Sequence, residues 1–296
     1  MRAIVTGGAG FVGSHVVEEL LRRGDDVLVL DDLSSGKREN LPEGARLEVV
    51  DVRAPVGEHF AGAEVCFHLA AQADVRVSVE RPAHDAQVNV LGTIWVLEAA
   101  RCHGTQVVLA STGGAIYGEC ERPAPEDSQR RPLAPYGVSK LAAEEYLAAY
   151  NRLHGTRHVS LRYGNVYGPR QDPHGEAGVV AIFLGRLAEG EQARIFGDGR
   201  QTRDYVYAGD VARATLAAID HEGVFNVGTG IETSVLELYE LCRRVAGSDL
   251  EAKAAPARLG ELQRSVLDVS LAQRELGWRP ETGLEEGLRL TWESLR

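Results

Sequence analysis

Short apolar runs alternate with longer amphipathic segments along the first half of the chain. The apolar runs are four or five residues long and rich in Val, Ile and Leu, as in strands buried inside a parallel sheet. Helical periodicity is present at His15–Arg23, Val88–Cys102 and Ser139–Tyr150. This alternation predicts an α/β fold with a doubly wound parallel sheet. The predicted strands are 2–6, 27–30, 47–50, 65–69, 106–110 and 159–162.

A glycine-rich segment follows the first predicted strand. Gly7, Gly10 and Gly13 form the pattern G-x-x-G-x-x-G, with Phe11 and Val12 between the last two. The first two glycines allow a tight turn close to a pyrophosphate, and the third lets helix and strand pack closely. The free N–H groups at the start of the helix favour anions. The segment therefore predicts a dinucleotide site in a Rossmann-type fold.

The second predicted strand closes on Asp31. A carboxylate at this position can accept hydrogen bonds from both adenosine ribose hydroxyls and would repel a 2′-phosphate. The sequence therefore favours NAD over NADP as the cofactor. Asp32 is the alternative, in which case Asp31 only ends the strand.

Further candidate cofactor contacts follow the third and fourth predicted strands. Ligands gather at the carboxyl ends of strands in open parallel sheets, and small residues there permit close approach. Small residues in a packed core would explain the same composition. The candidates are Asp51, Val52, Leu69, Ala70 and Ala71.

Tyr136 and Lys140 are four residues apart where a Pro-Gly turn signal enters a predicted helix. On a helix both side chains lie on one face, and an ammonium beside a phenol favours the phenolate. The pair is therefore a candidate general base. Only three lysines occur against 29 arginines, which suggests that a compact point charge is needed here. The alternative is a Tyr and a Lys packed side by side on an exposed helix.

Thr112 is a candidate third catalytic group, because it is a hydroxyl at the end of the fifth predicted strand. That position is on the same rim as the glycine-rich loop. A Ser-Thr pair that caps a turn is the alternative interpretation of Ser111 and Thr112.

Composition limits the classes of partner. The net charge of −11 argues against nucleic acid or an anionic membrane as the main partner. The four cysteines lack the spacing of a zinc site, so we expect no metal and a reducing compartment. No leader-like segment and no apolar run of about 18 residues is present. These features predict a cytoplasmic protein.

Taken together, the motifs resemble those of the extended short-chain dehydrogenase/reductase family. The resemblance rests on the glycine pattern, Asp31, Asp51, Ser111-Thr112 and Tyr136-x-x-x-Lys140, and continues through 161–170, 196–206 and 225–230. Nucleotide-sugar epimerases and dehydratases fit best within the family. The resemblance implies epimerisation at C4 of a UDP-hexose, with UDP-glucose and UDP-galactose as expected substrates, and an NAD that stays bound and is regenerated.

The resemblance also assigns roles to the catalytic candidates. Tyr136, as phenolate, is expected to take the proton of a sugar hydroxyl while the attached carbon gives hydride to NAD⁺. Lys140 would lower the pKa of the phenol and bind the nicotinamide ribose. Thr112 would bridge the reacting oxygen, with Ser111 as the substitute.

A discontinuous second domain is expected to bind the nucleotide diphosphate. The expected Rossmann domain is 1–165 plus about 205–228, with Val206 and 225–227 returning to the sheet, and the smaller domain is 166–204 and 229–296. Arginine forks suit phosphate oxygens in an otherwise acidic protein. The substrate contacts implied by resemblance are Asn165, the backbone near Val180, Arg203, Arg258 (or Arg264) and Glu261.

The choice between epimerase and dehydratase depends on Gly113 and Gly114. By resemblance, dehydratases carry an acidic pair at these positions, and glycine has no group that transfers a proton. Many epimerases carry the Ser or Thr at the position of Gly113, so this chain departs from them. The alternatives are a 4,6-dehydratase or another nucleotide-sugar-modifying enzyme of the same family, and a non-catalytic NAD-binding regulatory protein.

Ser265 bears on the range of substrates. In related epimerases a bulky residue four places after the ribose-binding acid excludes N-acetyl sugars, and Ser265 is small. The hypothesis is that UDP-N-acetyl sugars are also converted.

A homodimer is expected through the helices at about 88–103 and 139–154. This expectation follows from the resemblance. Leu141, Leu147, Tyr150 and Leu153 are candidates for the apolar contacts, although core packing explains the same spacing.

Overall fold

The computed structural model describes residues 1–173, 178–257 and 262–296, and its central feature is a seven-stranded parallel sheet. The sheet has the order β10-β6-β5-β4-β1-β2-β3, so the Rossmann-type prediction is confirmed. The strands are β1 (Arg2–Thr6), β2 (Asp26–Asp31), β3 (Arg46–Val49), β4 (Val65–His68), β5 (Gln106–Thr112), β6 (Val159–Tyr163), β7 (Asn165–Tyr167), β8 (Arg194–Phe196), β9 (Thr202–Tyr207), β10 (Gly223–Val227), β11 (Glu232–Ser234), β12 (Lys253–Ala255) and β13 (Arg264–Ser265).

The sheet is built outward from β1. From β1 the chain moves through β2 to β3 on one side, then returns to β4 and continues through β5 and β6 on the other. The crevice between β1 and β4 is therefore the point where the strand order reverses. Ligands bind outside the carboxyl ends of the strands at such a point.

Helices cover both faces of this sheet, and further helices belong to the smaller part of the molecule. The helices are α1 (Phe11–Arg22), α2 (Val75–Glu80), α3 (Pro82–Ala86), α4 (Gly92–His103), α5 (Gly113–Ile116), α6 (Pro135–His154), α7 (Val179–Ala188), α8 (Ala208–Ala217), α9 (Val235–Ala246), α10 (Ser270–Glu275) and α11 (Leu284–Glu293). A π-helical segment at Gln87–Leu91 leads into α4, and 3₁₀ turns lie at Arg38–Asn40 and Gly57–Phe60.

Alternate residues of each strand contribute to opposite cores, as the two-residue period of a strand requires. Val5 packs in one core together with Val16 of α1 and Val211 of α8. Ile4 packs in the other core together with Val96 of α4 and Leu147 of α6. Burial on both faces explains why the strands are almost continuously apolar.

The smaller part of the molecule contains two further sheets. Strands β7, β9, β11 and β13 form one, and β8 pairs with β12. Their core includes Phe183 of α7, Tyr239 of α9 and Leu288 of α11.

Three expectations from the sequence require correction. Val206 lies in β9 and therefore in the four-stranded sheet, whereas Phe225–Val227 does join the central sheet as predicted. The helix that carries the Tyr-Lys pair begins at Pro135, because proline is favoured in the first turn, where no N–H partner is needed. Leu147 is buried in the core and does not face solvent.

Candidate active site

A cavity of about 480 Å³ lies at the carboxyl ends of the central strands. Every position predicted to bind the cofactor lines it, which brings the glycine-rich loop, the end of β2 and the start of α6 together. Those lining residues are Gly7, Gly10, Phe11, Val12, Gly13, Asp31, Asp32, Asp51, Val52, Leu69, Ala70, Ala71, Tyr136 and Lys140.

The glycine-rich loop has room for backbone but not for side chains. Gly7 has a φ of +69°, and a Cβ there would lie 2.6 Å from the backbone nitrogen of Ala70. A Cβ on Gly13 would lie 2.1 Å from the carbonyl oxygen of Gly7. Because α1 begins at Phe11, its free N–H groups lie at the cavity, where they suit a phosphate.

Asp31, at the end of β2, is held by backbone N–H groups, one of which belongs to the glycine-rich loop. Its carboxylate accepts the N–H groups of Ala9 and Leu33, both at 2.9 Å. Burial raises the pKa of the carboxyl, and the two N–H donors oppose that effect. Asp32 is exposed and accepts the N–H of Ser34 at 2.9 Å. Asp31 is therefore the carboxylate that the loop itself orients.

Asp51 follows β3 and lines the cavity, and it forms an ion pair with Arg53. Arg53 donates from its Nε atom to both carboxylate oxygens, at 3.0 and 2.8 Å. The hydrogen bonds from Arg53 lower the pKa of this carboxyl. Asp51 is thus ionised and held beside the cavity.

Tyr136 and Lys140 both lie on α6 and both line the cavity. Lys140 is only 4% exposed. Burial lowers its pKa to about 8, while the nearby carboxylates of Glu144 and Asp85 raise it. An ammonium in so dry a position acts strongly on a neighbouring phenol, because water does not screen it.

Of the two adjacent hydroxyls, Ser111 lines the cavity and Thr112 is not among the lining residues. Successive side chains of β5 point to opposite faces, which separates the two. The Ser111 hydroxyl is buried and has no hydrogen-bond partner among the described residues. A buried hydroxyl without a partner at a cofactor cavity is suited to a bound ligand.

Leu267 explains the glycine at position 113. A Cβ on Gly113 would lie 2.6 Å from Leu267. At Gly114 an added Cβ would meet the Asn165 amide oxygen at an ordinary 3.5 Å. The first position is closed to any side chain as the chain is packed, and the second is open.

Unlike the predicted cofactor residues, the predicted substrate residues that the structure describes do not all lie around one cavity. Asn165 begins β7 beside Gly114, which places it next to the end of β5. The Val180 side chain is buried in the smaller core, and Arg203 donates to the carbonyl oxygen of Thr202 at 2.8 Å. Arg264, the substitute for Arg258, forms an ion pair with Glu232. Arg258 and Glu261 lie outside the described residues.

A buried polar network was not predicted from the sequence. Asn89 contacts Gln72, Asp85 and Ser139 through hydrogen bonds of 2.9 to 3.1 Å. The available signal was that Asn89 interrupts the periodicity of the helix predicted at Val88–Cys102, and it lies in the π-helical segment. Other unpredicted residues that line the cavity include Ser34, Gly36, Gln72, His84 and Tyr163.

A second buried network lies under α6. Arg162 of β6 forms a forked ion pair with Glu144, with Nη2 to Oε2 at 2.7 Å. Arg162 also donates to the hydroxyl of Tyr117, which in turn donates to the Asn226 side chain. This network connects α6 to the central strands.

Within residues 1–173, 178–257 and 262–296, no group of three His, Cys, Asp or Glu could hold a metal ion. In the same part of the chain, no helix has the length and apolar character needed to cross a bilayer.

Residues 3–228 match the family described as the NAD dependent epimerase/dehydratase family. The UDP-glucose 4-epimerase of Mycolicibacterium smegmatis is 46% identical, over 100% of this chain and 99% of its own.

Two crystal structures are similar over 100% of this chain and 99% of theirs. That of UDP-glucose 4-epimerase with UDP-glucose, from Thermotoga maritima, has a TM-score of 0.97 at 47% identity. That of the Thermus thermophilus UDP-glucose 4-epimerase in complex with NAD has a TM-score of 0.95 at 49% identity. With the glycine loop, Asp31 and the Tyr136–Lys140 pair in one cavity, the chain belongs to the NAD-dependent epimerase/dehydratase family.

Proposed function

We propose that this protein inverts C4 of a UDP-hexose, interconverting UDP-glucose and UDP-galactose. The observation that carries the proposal is the Tyr136–Lys140 pair on the wall of a cavity built for a dinucleotide. Bound NAD supplies an acceptor and donor of hydride that is restored in each cycle. Similarity over nearly the full length of proteins named UDP-glucose 4-epimerase supports the choice of C4 and of UDP-sugars.

Tyr136 moves the proton in this scheme. In the proposed scheme, its phenolate takes the proton of the C4 hydroxyl as that carbon loses hydride. After the 4-keto sugar turns over, hydride would return to the opposite face of C4, and Tyr136 would return the proton to the C4 oxygen. Lys140 stabilises the phenolate electrostatically and binds the nicotinamide ribose. A β5 hydroxyl holds the reacting oxygen; Thr112 is the candidate from resemblance, and Ser111 has the better position for it.

Dehydration is disfavoured by the turn after β5. Loss of water across C5 and C6 requires groups that remove one proton and donate another. Neither Gly113 nor Gly114 offers such a group, and Leu267 occupies the space at the first.

The UDP portion is proposed to bind against the smaller domain. Asn165 and Arg203 are the described candidates for the diphosphate, with Val180, Arg258 and Glu261 completing the set by resemblance. We retain the two-domain division but place the return to the Rossmann domain at Ala208, the first residue of α8. The support is that Val211 of α8 packs in the core of the central sheet, whereas β9 pairs in the smaller one.

Acceptance of N-acetyl sugars is a further part of the proposal. Ser265 is a small residue in β13, in register with Arg203 of β9. We expect measurable conversion of UDP-N-acetylgalactosamine beside UDP-galactose. Turnover of UDP-galactose without any turnover of UDP-N-acetylgalactosamine would refute the acceptance of N-acetyl sugars.

We also propose a homodimer in a reducing, cytoplasmic compartment. All four cysteines are free, which fits such a compartment. On α6 the exposed large apolar residues are Val138, Tyr146 and Leu153, and Leu91 in the π-helical segment is also exposed. Of the four residues expected from the sequence, Leu153 is the one that is largely exposed, at 76%.

The test is product analysis after incubating the purified protein with UDP-galactose and no added cofactor. We expect UDP-glucose from the wild type. Tyr136→Phe should retain NAD and lose activity by about a hundredfold or more, because general-base catalysis is removed. A non-catalytic NAD-binding protein would convert no sugar in either form.

A further inference from the structure

The ammonium of Lys140 lies in a position where burial strongly disfavours it. Lys140 is 4% exposed, so little water is available to stabilise the charge. The titratable groups that interact with it electrostatically are Glu144 on α6, His68 on β4 and Asp85 on α3. Tyr136, four residues earlier on α6, lines the same cavity. Burial, and then the charge of Lys140, lower the pKa of His68 to about 3, so this imidazole is neutral.

Glu144 is already committed to another cation. Its two carboxylate oxygens accept the forked guanidinium of Arg162, and both side chains are almost fully buried. Arg162 therefore offsets part of the negative charge that Glu144 presents to Lys140, although Glu144 still raises the pKa of Lys140.

Asp85 is also buried, but it forms no ion pair with an arginine or lysine among the described residues. It is 1% exposed, and its Oδ1 accepts the side-chain N–H groups of Gln72 at 2.9 Å and Asn89 at 3.1 Å. Its Oδ2 is buried and has no hydrogen-bond partner among the described residues. Among those residues, no salt bridge to Asp85 is formed.

Two backbone donors fix the orientation of both amides. The N–H of Asp74 donates to the Gln72 side-chain oxygen at 2.6 Å, and the N–H of Gln72 donates to the Asn89 side-chain oxygen at 2.9 Å. The NH₂ groups must therefore face Asp85, which has to act as an acceptor. Two N–H donors on one oxygen stabilise the ionised carboxylate.

The same network ties Asp85 to the helix that carries Lys140. Asn89 donates to the hydroxyl of Ser139 at 3.0 Å, and that hydroxyl donates to the carbonyl oxygen of Tyr136 at 3.0 Å. The carboxylate is thus held at a set position relative to the first turns of α6.

We propose that Asp85 is a positioning residue: the buried counter-charge that keeps Lys140 an ammonium beside Tyr136. Its importance for turnover rests on the proposed function, but its effect on the charge of Lys140 does not. The carboxylate of Asp85, which forms no ion pair among the described residues, adds to the compensation from Glu144, whose charge is shared with Arg162.

The composition of the chain makes a direct test possible. With only three lysines, selective ¹³C-lysine labelling gives three side-chain Cε signals, and Lys140→Arg identifies the signal of Lys140. The titration of that signal is followed by NMR in the wild type and in Asp85→Asn, without substrate. The wild-type midpoint is expected near the pKa of about 8. Asp85→Asn should lower it by about one pH unit or more, as for loss of a nearby opposite charge.

Two controls separate charge from structure. Asp210→Asn removes another fully buried carboxylate, one that accepts the N–H groups of Glu281 and Thr282, and should leave the Lys140 midpoint unchanged. Asp85→Glu restores the charge and should return the midpoint towards the wild-type value. If Asp85→Asn does not fold, Asp85→Ala gives the same comparison. Equal midpoints in the wild type and the neutral variant would overturn the proposal.

Turnover gives a second readout. If the wild type epimerises UDP-galactose, the alkaline limb of its pH–rate profile should move to lower pH in Asp85→Asn. A wild type that converts no UDP-sugar would refute the proposed function and leave the NMR result to decide the role of Asp85. An active wild type with an unshifted limb and an unshifted midpoint would refute the role of Asp85 alone.

Discussion

At the scale of single residues, the choice of cofactor depends on one of two adjacent carboxylates. Asp31 is held by the glycine-rich loop, whereas Asp32 is exposed and caps its own turn. We predict that Asp31→Asn weakens NAD binding about tenfold or more, since hydrogen bonds to charged groups contribute about 1.5–3 kcal/mol. Asp32→Asn is the matched control and should change affinity little. Calorimetric titration with NAD measures both, and equal losses would contradict the assignment.

Gly113 and Gly114 offer a comparison between a closed and an open position. Gly113→Ala would press against Leu267, and overpacking typically costs about 1–3 kcal/mol of unfolding free energy. Gly114→Ala meets only ordinary contacts and should be close to neutral. Denaturant unfolding measures the difference. Combining Gly113→Ala with Leu267→Ala should recover part of the loss that overpacking causes, and additive losses would contradict the steric explanation.

The sequence could not decide which of two adjacent hydroxyls is the candidate third catalytic group. Adjacent residues of a strand face opposite sides, so one of Ser111 and Thr112 had to face away from the cavity. The sequence alone does not show which of the two faces the cavity, because the pairing register of β5 with its neighbouring strands determines that orientation. The glycine pattern and the Tyr-Lys spacing were more informative, since each is local and has a specific backbone requirement.

At the scale of elements, α6 is anchored by a buried ion pair. Arg162 and Glu144 have side chains that are 2% and 3% exposed, whereas the neighbouring Glu145 pairs with Arg130 at the surface. Glu144→Gln should cost about 3–5 kcal/mol of unfolding free energy, because it leaves a buried guanidinium uncompensated. Glu145→Gln should cost about 0–1 kcal/mol. Denaturant unfolding of both variants, at fixed pH and salt, is the measurement; similar values would contradict the account.

The elements were predicted to within a few residues where periodicity was strong. The first six strands follow apolar runs, and their limits differ by one or two residues from those expected. The segment at 87–91 could not be predicted as a π-helix, because Asn89 is turned inward by its partners in Gln72, Asp85 and Ser139. Gln72 and Ser139 are 17 and 50 residues away from Asn89, so the local pattern showed that Asn89 interrupts the helix but not which residues it contacts.

At the scale of the whole molecule, the proposed homodimer rests on the exposed apolar residues of α6. Leu153→Asp should convert a dimer to a monomer, because a charge would be buried at the interface. Leu236→Asp is the control, since Leu236 is exposed at 44% on α9, away from that surface. Sedimentation analysis measures both. A wild type that sediments as a monomer would contradict the dimer.

The division between the two lobes was harder to predict than the fold class. The strand that contains Val206 ends in the apolar run Tyr205-Val206-Tyr207, yet it pairs with β7, β11 and β13. Short strands in both sheets have the same local pattern, and only long-range pairing distinguishes them.

The most direct test of the central claim uses UDP-galactose deuterated at C4, given to the purified protein without added cofactor. Epimerisation by removal and return of hydride within one site predicts UDP-glucose that retains deuterium at C4, now with the opposite configuration. A 4-keto-6-deoxy product with deuterium at C6 would contradict the account and establish a dehydratase. Loss of the deuterium to water would exclude hydride return and with it the proposed role of Tyr136.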